Sequence, residues 1–121
     1  MVGSVSTNRK RLAKLLAFMG PVVELCNGVG VRPVVYGSYA YLIYTGDPKA
    51  VVNDIDLLVP GASLEKIRDA LRENEILCRY YPGKTLHVFK DKLKIEIDSC
   101  ENWSIDISAS KRLDSSSATF S

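Results

Sequence analysis

The amino-acid sequence predicts an α+β fold of two layers, a small mixed β-sheet with helices packed on it. Short runs rich in β-branched and aromatic residues, which are typical of strands, recur along the chain. Longer stretches with apolar residues at helical spacing lie between them, and glycine and proline mark the junctions. The 121 residues are enough for one domain with a real core. We expect that domain at residues 1–108, followed by a Ser-rich, flexible tail at residues 109–121.

Composition and charge argue against several classes of protein. Hydrophobic residues make up 46% and charged residues 25% of the chain, as in an ordinary soluble globular protein. The net charge of +2 gives no indication of a nucleic-acid or membrane partner. Three cysteines without a Cys-x-x-Cys motif and a single histidine, His87, argue against a disulfide framework and a zinc site. Free thiols fit a reducing compartment, so we expect a cytoplasmic protein, and no apolar run is long enough to span a membrane.

The first predicted element is a helix that begins near Thr7 or Asn8 and continues to Cys26. Its apolar stripe is formed by Leu12, Leu15, Leu16, Met19, Val23 and Cys26. Pro21 lacks a backbone N–H, so we expect it to kink the helix or to divide it in two. The basic residues near the helix start lie outside the stripe and are interpreted as a solvated face. Residues 1–7 are small and polar and are expected to fray.

A short β-branched strand at Arg32–Tyr36 is followed by the turn Gly37-Ser38 and by a helix that continues through Tyr44. Ser38 is well placed as the N-cap of this helix. A helix N-terminus that is entered through glycine presents unpaired N–H groups and a partial positive charge, which suits a phosphate. The alternative is a plain turn from strand to helix without a ligand.

Two carboxylates stand at the start of the next predicted strand, Asp54–Val59. Because side chains alternate along a strand, Asp54 and Asp56 project from the same face. They repel each other unless a cation lies between them, and Mg²⁺ or Mn²⁺ is the usual cation for such a pair. The alternative is that a turn begins the strand and that Asp56 lies on a solvated face. Lys49, in the loop before the strand, either steadies a phosphate or is simply exposed.

The remaining sequence predicts one more helix and several strands. The helix is expected at Ser63–Asn74 and the strands at Ile76–Tyr80, Thr85–Phe89 and Leu93–Asp98, with a short edge strand at Ile105–Ile107. In the strand that begins at Leu93, Lys94, Glu96 and Asp98 alternate with apolar residues, so these three share one polar face.

The order of these features is informative. A strand, Gly37-Ser38, a helix and then Asp54-x-Asp56 in a second strand resembles the signature of the DNA polymerase β-like nucleotidyltransferase superfamily. The closest likeness is to its small stand-alone members, the minimal nucleotidyltransferases, over roughly residues 34–99. Neither Gly-Ser nor Asp-x-Asp is informative alone, but the ordered set is moderately specific. The resemblance implies a nucleotidyltransferase-like fold.

The resemblance implies that Asp54 and Asp56 hold two Mg²⁺ or Mn²⁺ ions and that a third acid completes the shell of one ion. In the superfamily this acid lies on a strand beside the acidic pair. Asp98 is preferred because aspartate is the family's usual residue, and Glu96 on the same face is the alternative. Asp54, Asp56 and Asp98 are therefore the predicted catalytic residues and metal ligands.

The resemblance also implies the reaction, which is transfer of a nucleoside monophosphate from an NTP to a hydroxyl group with release of pyrophosphate. ATP is the first candidate for the NTP, and the acceptor is a protein, a small molecule or an RNA end. Backbone N–H groups after Gly37, the Ser38 hydroxyl and Lys49 are the predicted nucleotide-binding groups. Family members often carry a basic residue soon after Gly-Ser, whereas this chain has none between Ser38 and Lys49.

Little sequence follows Asp98 to form a substrate domain, so a helical partner protein or a homo-oligomer is expected to complete the site. Small members of the family often act beside such a partner in toxin–antitoxin pairs. The alternative function is a non-catalytic nucleotide-binding or antitoxin module of the same fold. A third hypothesis is a structural domain whose acids are incidental.

Overall fold

The computed structural model describes residues 2–102 and 111–112 of the chain. The helices of this part are α1 at Val2–Gly28, α2 at Gly37–Thr45 and α3 at Leu64–Glu73. The strands are β1 at Val34–Tyr36, β2 at Ile55–Val59, β3 at Cys78–Tyr81, β4 at Thr85–Lys90, β5 at Leu93–Ser99 and β6 at Lys111–Arg112. Short 3₁₀ turns occupy Gly61–Ser63 and Cys100–Asn102.

The strands form one sheet in the order β3-β4-β5-β2-β1-β6. β2 and β5 are parallel, whereas the other described neighbours are antiparallel. A parallel pair needs a long connection between its strands, and here α3, β3 and β4 lie within that connection. The mixed sheet with its helices confirms the predicted α+β class.

One face of the sheet packs against the helices. The fully buried core residues contributed by both layers include Ile55, Leu57, Ile95 and Ile97 from the strands and Leu15, Met19, Ile67 and Leu71 from the helices. Because side chains alternate along a strand, Asp56 and Glu96 project from the opposite face. Within the described ranges, no helix combines the length and apolarity that crossing a membrane requires.

α1 differs from the prediction at its start and at its proline. The helix begins at Val2, so the predicted start near Thr7 or Asn8 is wrong. It also continues through Pro21 to Gly28, so of the two outcomes expected at the proline, a kink or a division, the division is wrong. Met19 and Val22, on either side of the proline, are both fully buried. Burial of this face on both sides outweighs the backbone hydrogen bond that the proline removes.

The predicted N-cap of α2 is also wrong. The helix begins at Gly37, one residue before Ser38, and Tyr36 precedes it without a side-chain capping hydrogen bond. Gly37 has a φ of +72°, which glycine adopts with little strain. This conformation lets the chain turn from β1 into α2 one residue earlier than predicted.

The sequence does not predict β6. Lys111 and Arg112 pair with Val35 and Val34 of β1, although they lie in the segment expected to be a flexible tail. Two residues are too few to show the alternation of apolar and polar side chains that identifies a strand. This strand is recognised only by its pairing with β1. The predicted edge strand at Ile105–Ile107 lies outside the described residues.

Candidate functional site

The register of the sheet brings four polar side chains into one row. Tyr36 of β1 lies opposite Asp56 of β2, and Asp56 lies opposite Glu96 of β5. Glu96 in turn lies opposite His87 of β4, with 3.6 Å between His87 Nε2 and Glu96 Oε1. Residues directly opposite on neighbouring strands share a face, so the row lies on the side away from the helical layer. Asp56 therefore has a carboxylate from another strand directly beside it.

Asp54 lies immediately before β2 and contacts two basic side chains. Its carboxylate is 3.9 Å from Lys94 Nζ and 4.0 Å from Arg11 Nη2. Lys94 Nζ is also 3.8 Å from Glu96 Oε2. Arg11 of α1 donates hydrogen bonds to the Asn53 carbonyl oxygen from Nε at 3.2 Å and from Nη2 at 3.0 Å. Two cations therefore adjoin the acidic site.

Neither cation is predicted as a site residue from the sequence. The alternation in β5 places Lys94 on the polar face, but its partners depend on the parallel pairing of β2 with β5. Arg11 belongs to the basic stretch that was interpreted as a solvated face, and no local pattern links it to Asn53.

The start of α2 lies directly against the acidic pair. A Cβ atom placed on Gly37 would lie 2.5 Å from Asp56 Oδ2, which is well inside van der Waals contact. With its positive φ, Gly37 therefore satisfies two requirements that no other residue meets. Ser38 follows in the first helical turn, where backbone N–H groups lack helical partners. The predicted phosphate-binding turn and the predicted acidic pair thus lie together.

Negative charge accumulates around Asp56. Burial, and after it the charges of Glu96, Asp98 and Asp54, raise the pKa of Asp56 from 3.8 to about 6. Lys94 opposes the shift by lowering the pKa. The site therefore favours any added positive charge.

Asp98 has different surroundings from Glu96. It lies opposite Leu58, two residues beyond Glu96, and is only 3% exposed. The Tyr36 hydroxyl donates a hydrogen bond to Asp98 Oδ2. Burial raises the pKa of Tyr36 above its usual range, and the hydrogen bond to Asp98 raises it further. Tyr36 was not predicted as a site residue, although its position in β1 places it on the same face as the acids.

Lys49 lies apart from the contacts made by the acids. It borders a pocket of about 190 Å³ between α1 and the loop before β2, together with Arg9, Asp47 and Val52. Its backbone N–H donates to Asp47 Oδ1 at 2.9 Å. Within residues 2–102, Lys94 and Arg11 form ion pairs with the acids of the site, and Lys49 does not.

The carboxylates of the site are the kind of ligand that a hard divalent cation prefers, but in the described residues they are not arranged around a common point. Carboxylate oxygens are the ligands that Mg²⁺ and Mn²⁺ prefer. In the part of the chain that the structure describes, the four carboxylates (Asp54, Asp56, Glu96 and Asp98) outnumber the lysine and arginine side chains that contact them, Lys94 and Arg11. Among the described residues, however, no three acidic, histidine or cysteine side chains form a ready metal-binding group. A metal ion would have to draw Asp54 away from the basic side chains.

Comparisons with known proteins bear on the fold. No protein-family model matches the chain, and no curated protein does. Among solved structures, a CCA-adding enzyme in complex with ATP is similar with a TM-score of 0.61 and 19% identity over 87% of this chain and 28% of that one. A tRNA-processing enzyme with CTP has a TM-score of 0.52 and 25% identity over 71% of this chain and 24% of that one.

An apo form of a tRNA-processing enzyme is similar to the same degree, with a TM-score of 0.51 and 26% identity over 69% of this chain and 24% of that one. The chain thus spans about a quarter of the length of these enzymes. The predicted nucleotidyltransferase-like fold is confirmed. A tRNA nucleotidyltransferase complexed with a primer tRNA and an incoming ATP analogue is also similar, with a TM-score of 0.56 and 21% identity over 77% of this chain and 31% of that one.

Proposed function

We propose that the protein is a metal-dependent nucleotidyltransferase that resembles the minimal nucleotidyltransferases. It transfers a nucleoside monophosphate from an NTP to a hydroxyl group and releases pyrophosphate. The observation that carries the proposal is the contact between Gly37, at the start of α2, and the Asp56 carboxylate, with Glu96 directly opposite. A helix N-terminus beside clustered acids suits a phosphate chain bound together with a divalent cation.

Each residue of the site has a distinct role in this proposal. Asp54 and Asp56 would hold Mg²⁺ or Mn²⁺, which when bound neutralises phosphate charge and stabilises attacking and leaving oxygens. The register favours Glu96 as the third ligand because it lies opposite Asp56. Asp98 remains the second candidate, since its buried carboxylate already accepts a hydrogen bond from Tyr36.

The triphosphate would bind at the start of α2. The donors there are the backbone N–H groups that follow Gly37 and the Ser38 hydroxyl. They belong to the first turn of α2, which begins beside Asp56. ATP is our first candidate because one structural neighbour is a complex with ATP, and another is a complex with CTP. Lys49 is a donor for this role only if the loop moves towards the acids.

The proposal extends to the partner and the acceptor. We propose that a helical partner protein or a second copy of this chain contributes to the substrate site, as the resemblance to the minimal nucleotidyltransferases implies. The neighbours are tRNA-processing enzymes, which makes an RNA end a leading acceptor beside a protein or small-molecule hydroxyl.

A second candidate function is a nucleotide-binding or antitoxin module that transfers nothing. The specific observation in its favour is that Asp54 faces Lys94 and Arg11, while Asp98 is bonded to Tyr36. Acids held in this way bind metal less readily than free ones. Binding of an NTP without turnover would support this module.

Calorimetric titration of ATP and the other NTPs, with and without Mg²⁺, tests the proposal. We expect the wild type to bind in the micromolar to low millimolar range only with Mg²⁺, and an Asp54→Asn/Asp56→Asn double variant to lose binding. Asp69→Asn is the matched control, because Asp69 lies on α3 and pairs with Arg68. Equal binding by wild type and double variant would overturn the assignment of the acids. Labelled NTP then separates turnover from binding alone.

A further inference from the structure

Lys94 forms ion pairs with two carboxylates of the candidate site. Its ammonium lies 3.9 Å from Oδ2 of Asp54, which immediately precedes β2, and 3.8 Å from Oε2 of Glu96 in β5. We propose that Lys94 is the built-in counter-cation of the acidic site, and that a divalent cation binds by displacing its ammonium. The inference rests on the proposed function and adds a residue that sets metal affinity.

The geometry distinguishes Lys94 from an ordinary surface ion pair. Lys94 and Glu96 project from the same face of β5, and Asp54 approaches from the residue that precedes the neighbouring strand β2. Both separations exceed hydrogen-bond length, so the ammonium is held by charge and not by directed bonds. A side chain that is 32% exposed and held in this way can leave without breaking the fold.

Arg11 shows the contrast. Its guanidinium donates two hydrogen bonds to the Asn53 carbonyl oxygen and a third, at 3.4 Å, to the Lys92 carbonyl oxygen. Removing Arg11 from the site would release these three bonds between α1 and the sheet. Of the two cations, Lys94 is therefore the exchangeable one, and a divalent cation that replaces it brings a greater charge to the same carboxylates.

Binding of Mn²⁺ alone, followed by the electron paramagnetic resonance signal of the free ion, tests the proposal. We expect Lys94→Met to bind Mn²⁺ roughly threefold to tenfold more tightly than the wild type, the range expected for losing the partly exposed ion pairs of Lys94 with Asp54 and Glu96. Lys90→Met is the matched control, because it removes the same charge from an exposed position on the same hairpin. We expect this control to leave the affinity unchanged, and Lys94→Arg to stay close to the wild type.

Two outcomes would overturn the proposal, namely no gain in Mn²⁺ affinity in Lys94→Met, or an equal gain in Lys90→Met. Lys94→Gln gives a second neutral variant if Lys94→Met does not fold. The experiment contains no nucleotide, so it is separate from the NTP titration. If Lys94→Met gains Mn²⁺ affinity but no NTP binds, the proposed function fails and the role of Lys94 stands. If Mg²⁺-dependent NTP binding is found without the gain, the role of Lys94 fails alone.

Discussion

Gly37 brings the start of α2 next to the Asp56 carboxylate. Replacing it with alanine would put a Cβ atom 2.5 Å from Asp56 Oδ2 and force a positive φ on an L-residue. We expect Gly37→Ala to shift the Asp56 carboxylate and to abolish Mg²⁺-dependent NTP binding, measured by calorimetry. The protein should also lose about 1–3 kcal/mol of unfolding free energy.

Substitution of Gly46, at the other end of α2, is a control that introduces backbone strain without a steric contact. It has a φ of +64°, but a Cβ atom there would meet nothing within 4 Å. Gly46→Ala should therefore lose about 1 kcal/mol of stability from backbone strain while keeping NTP binding. Loss of binding in both variants would contradict a specific role for the contact between Gly37 and Asp56.

Half-buried Tyr36 and buried Asp98 form a polar pair. Tyr36→Phe removes the hydroxyl that donates to a carboxylate only 3% exposed, and a buried acceptor without its donor is costly. We expect a loss of about 1–3 kcal/mol in unfolding free energy, measured by urea denaturation. Tyr44→Phe is the control, because its side chain is 58% exposed and should change stability little. Equal losses would show that the hydrogen bond is not the cause.

The raised pKa of Asp56 has a defined effect on stability. Because the pKa of Asp56 is about 6 in the folded protein and its ordinary value is 3.8, the folded state keeps the proton to higher pH than the unfolded chain. The ionised group therefore lowers stability as pH rises from about 4 to about 6, and the deficit persists above that range. Partial exposure and solvent screening limit its size to about 1 kcal/mol.

Asp56→Asn removes this deficit in the metal-free protein. We expect the variant to gain more stability over wild type at about pH 8 than at about pH 4, measured by urea denaturation in the presence of a chelator. An equal gain at both pH values would mean that the Asp56 charge is not the source.

Alternation along strands was enough to place the acids from the sequence. It put Asp54 with Asp56, and Glu96 with Asp98, on common faces, and the structure brings both pairs to one site. It was not enough to decide which acid lies opposite Asp56, because that depends on the register between β2 and β5. Lys94 as a contact of Asp54 was missed for the same reason.

At the scale of elements, Arg11 joins α1 to the start of β2. Arg11→Gln removes hydrogen bonds from Nε and Nη2 to the Asn53 carbonyl oxygen. After a discount for exposure, we expect a loss of about 1 kcal/mol of unfolding free energy by urea denaturation. Lys14→Gln, at an exposed position one turn away on α1, should have little effect. A similar loss in both variants would indicate the charge of α1 as a whole.

Most helices and strands were predictable because their hydrophobic periodicity is strong, as in α3 and β5. The exceptions have physical causes. α1 passes through Pro21 because buried residues on either side hold the helix to the core. β6 exists through pairing with β1 and has no pattern of its own.

At the scale of the molecule, an overall charge of +2 conceals an acidic site. We expect Mg²⁺ or Mn²⁺ to raise the Tm of the wild type by several degrees, because a ligand that binds only the folded state adds about 2.7 kcal/mol at a hundredfold excess over Kd. The Asp54→Asn/Asp56→Asn variant should show no such shift, and a chelator should reverse the shift in wild type. A shift of equal size in the variant would place the bound metal elsewhere.

The parallel pairing of β2 with β5 also determines when the acidic site forms during synthesis of the chain on the ribosome. α1, β1, α2 and β2 leave the ribosome before β5, and the Asp56 carboxylate then lies beside Gly37 without Glu96 or Lys94. α3, β3 and β4 must follow before β5 can dock between β4 and β2. Such distant pairing is slow to form. The acidic site is therefore assembled late, and a nascent chain that ends before β5 contains only half of it.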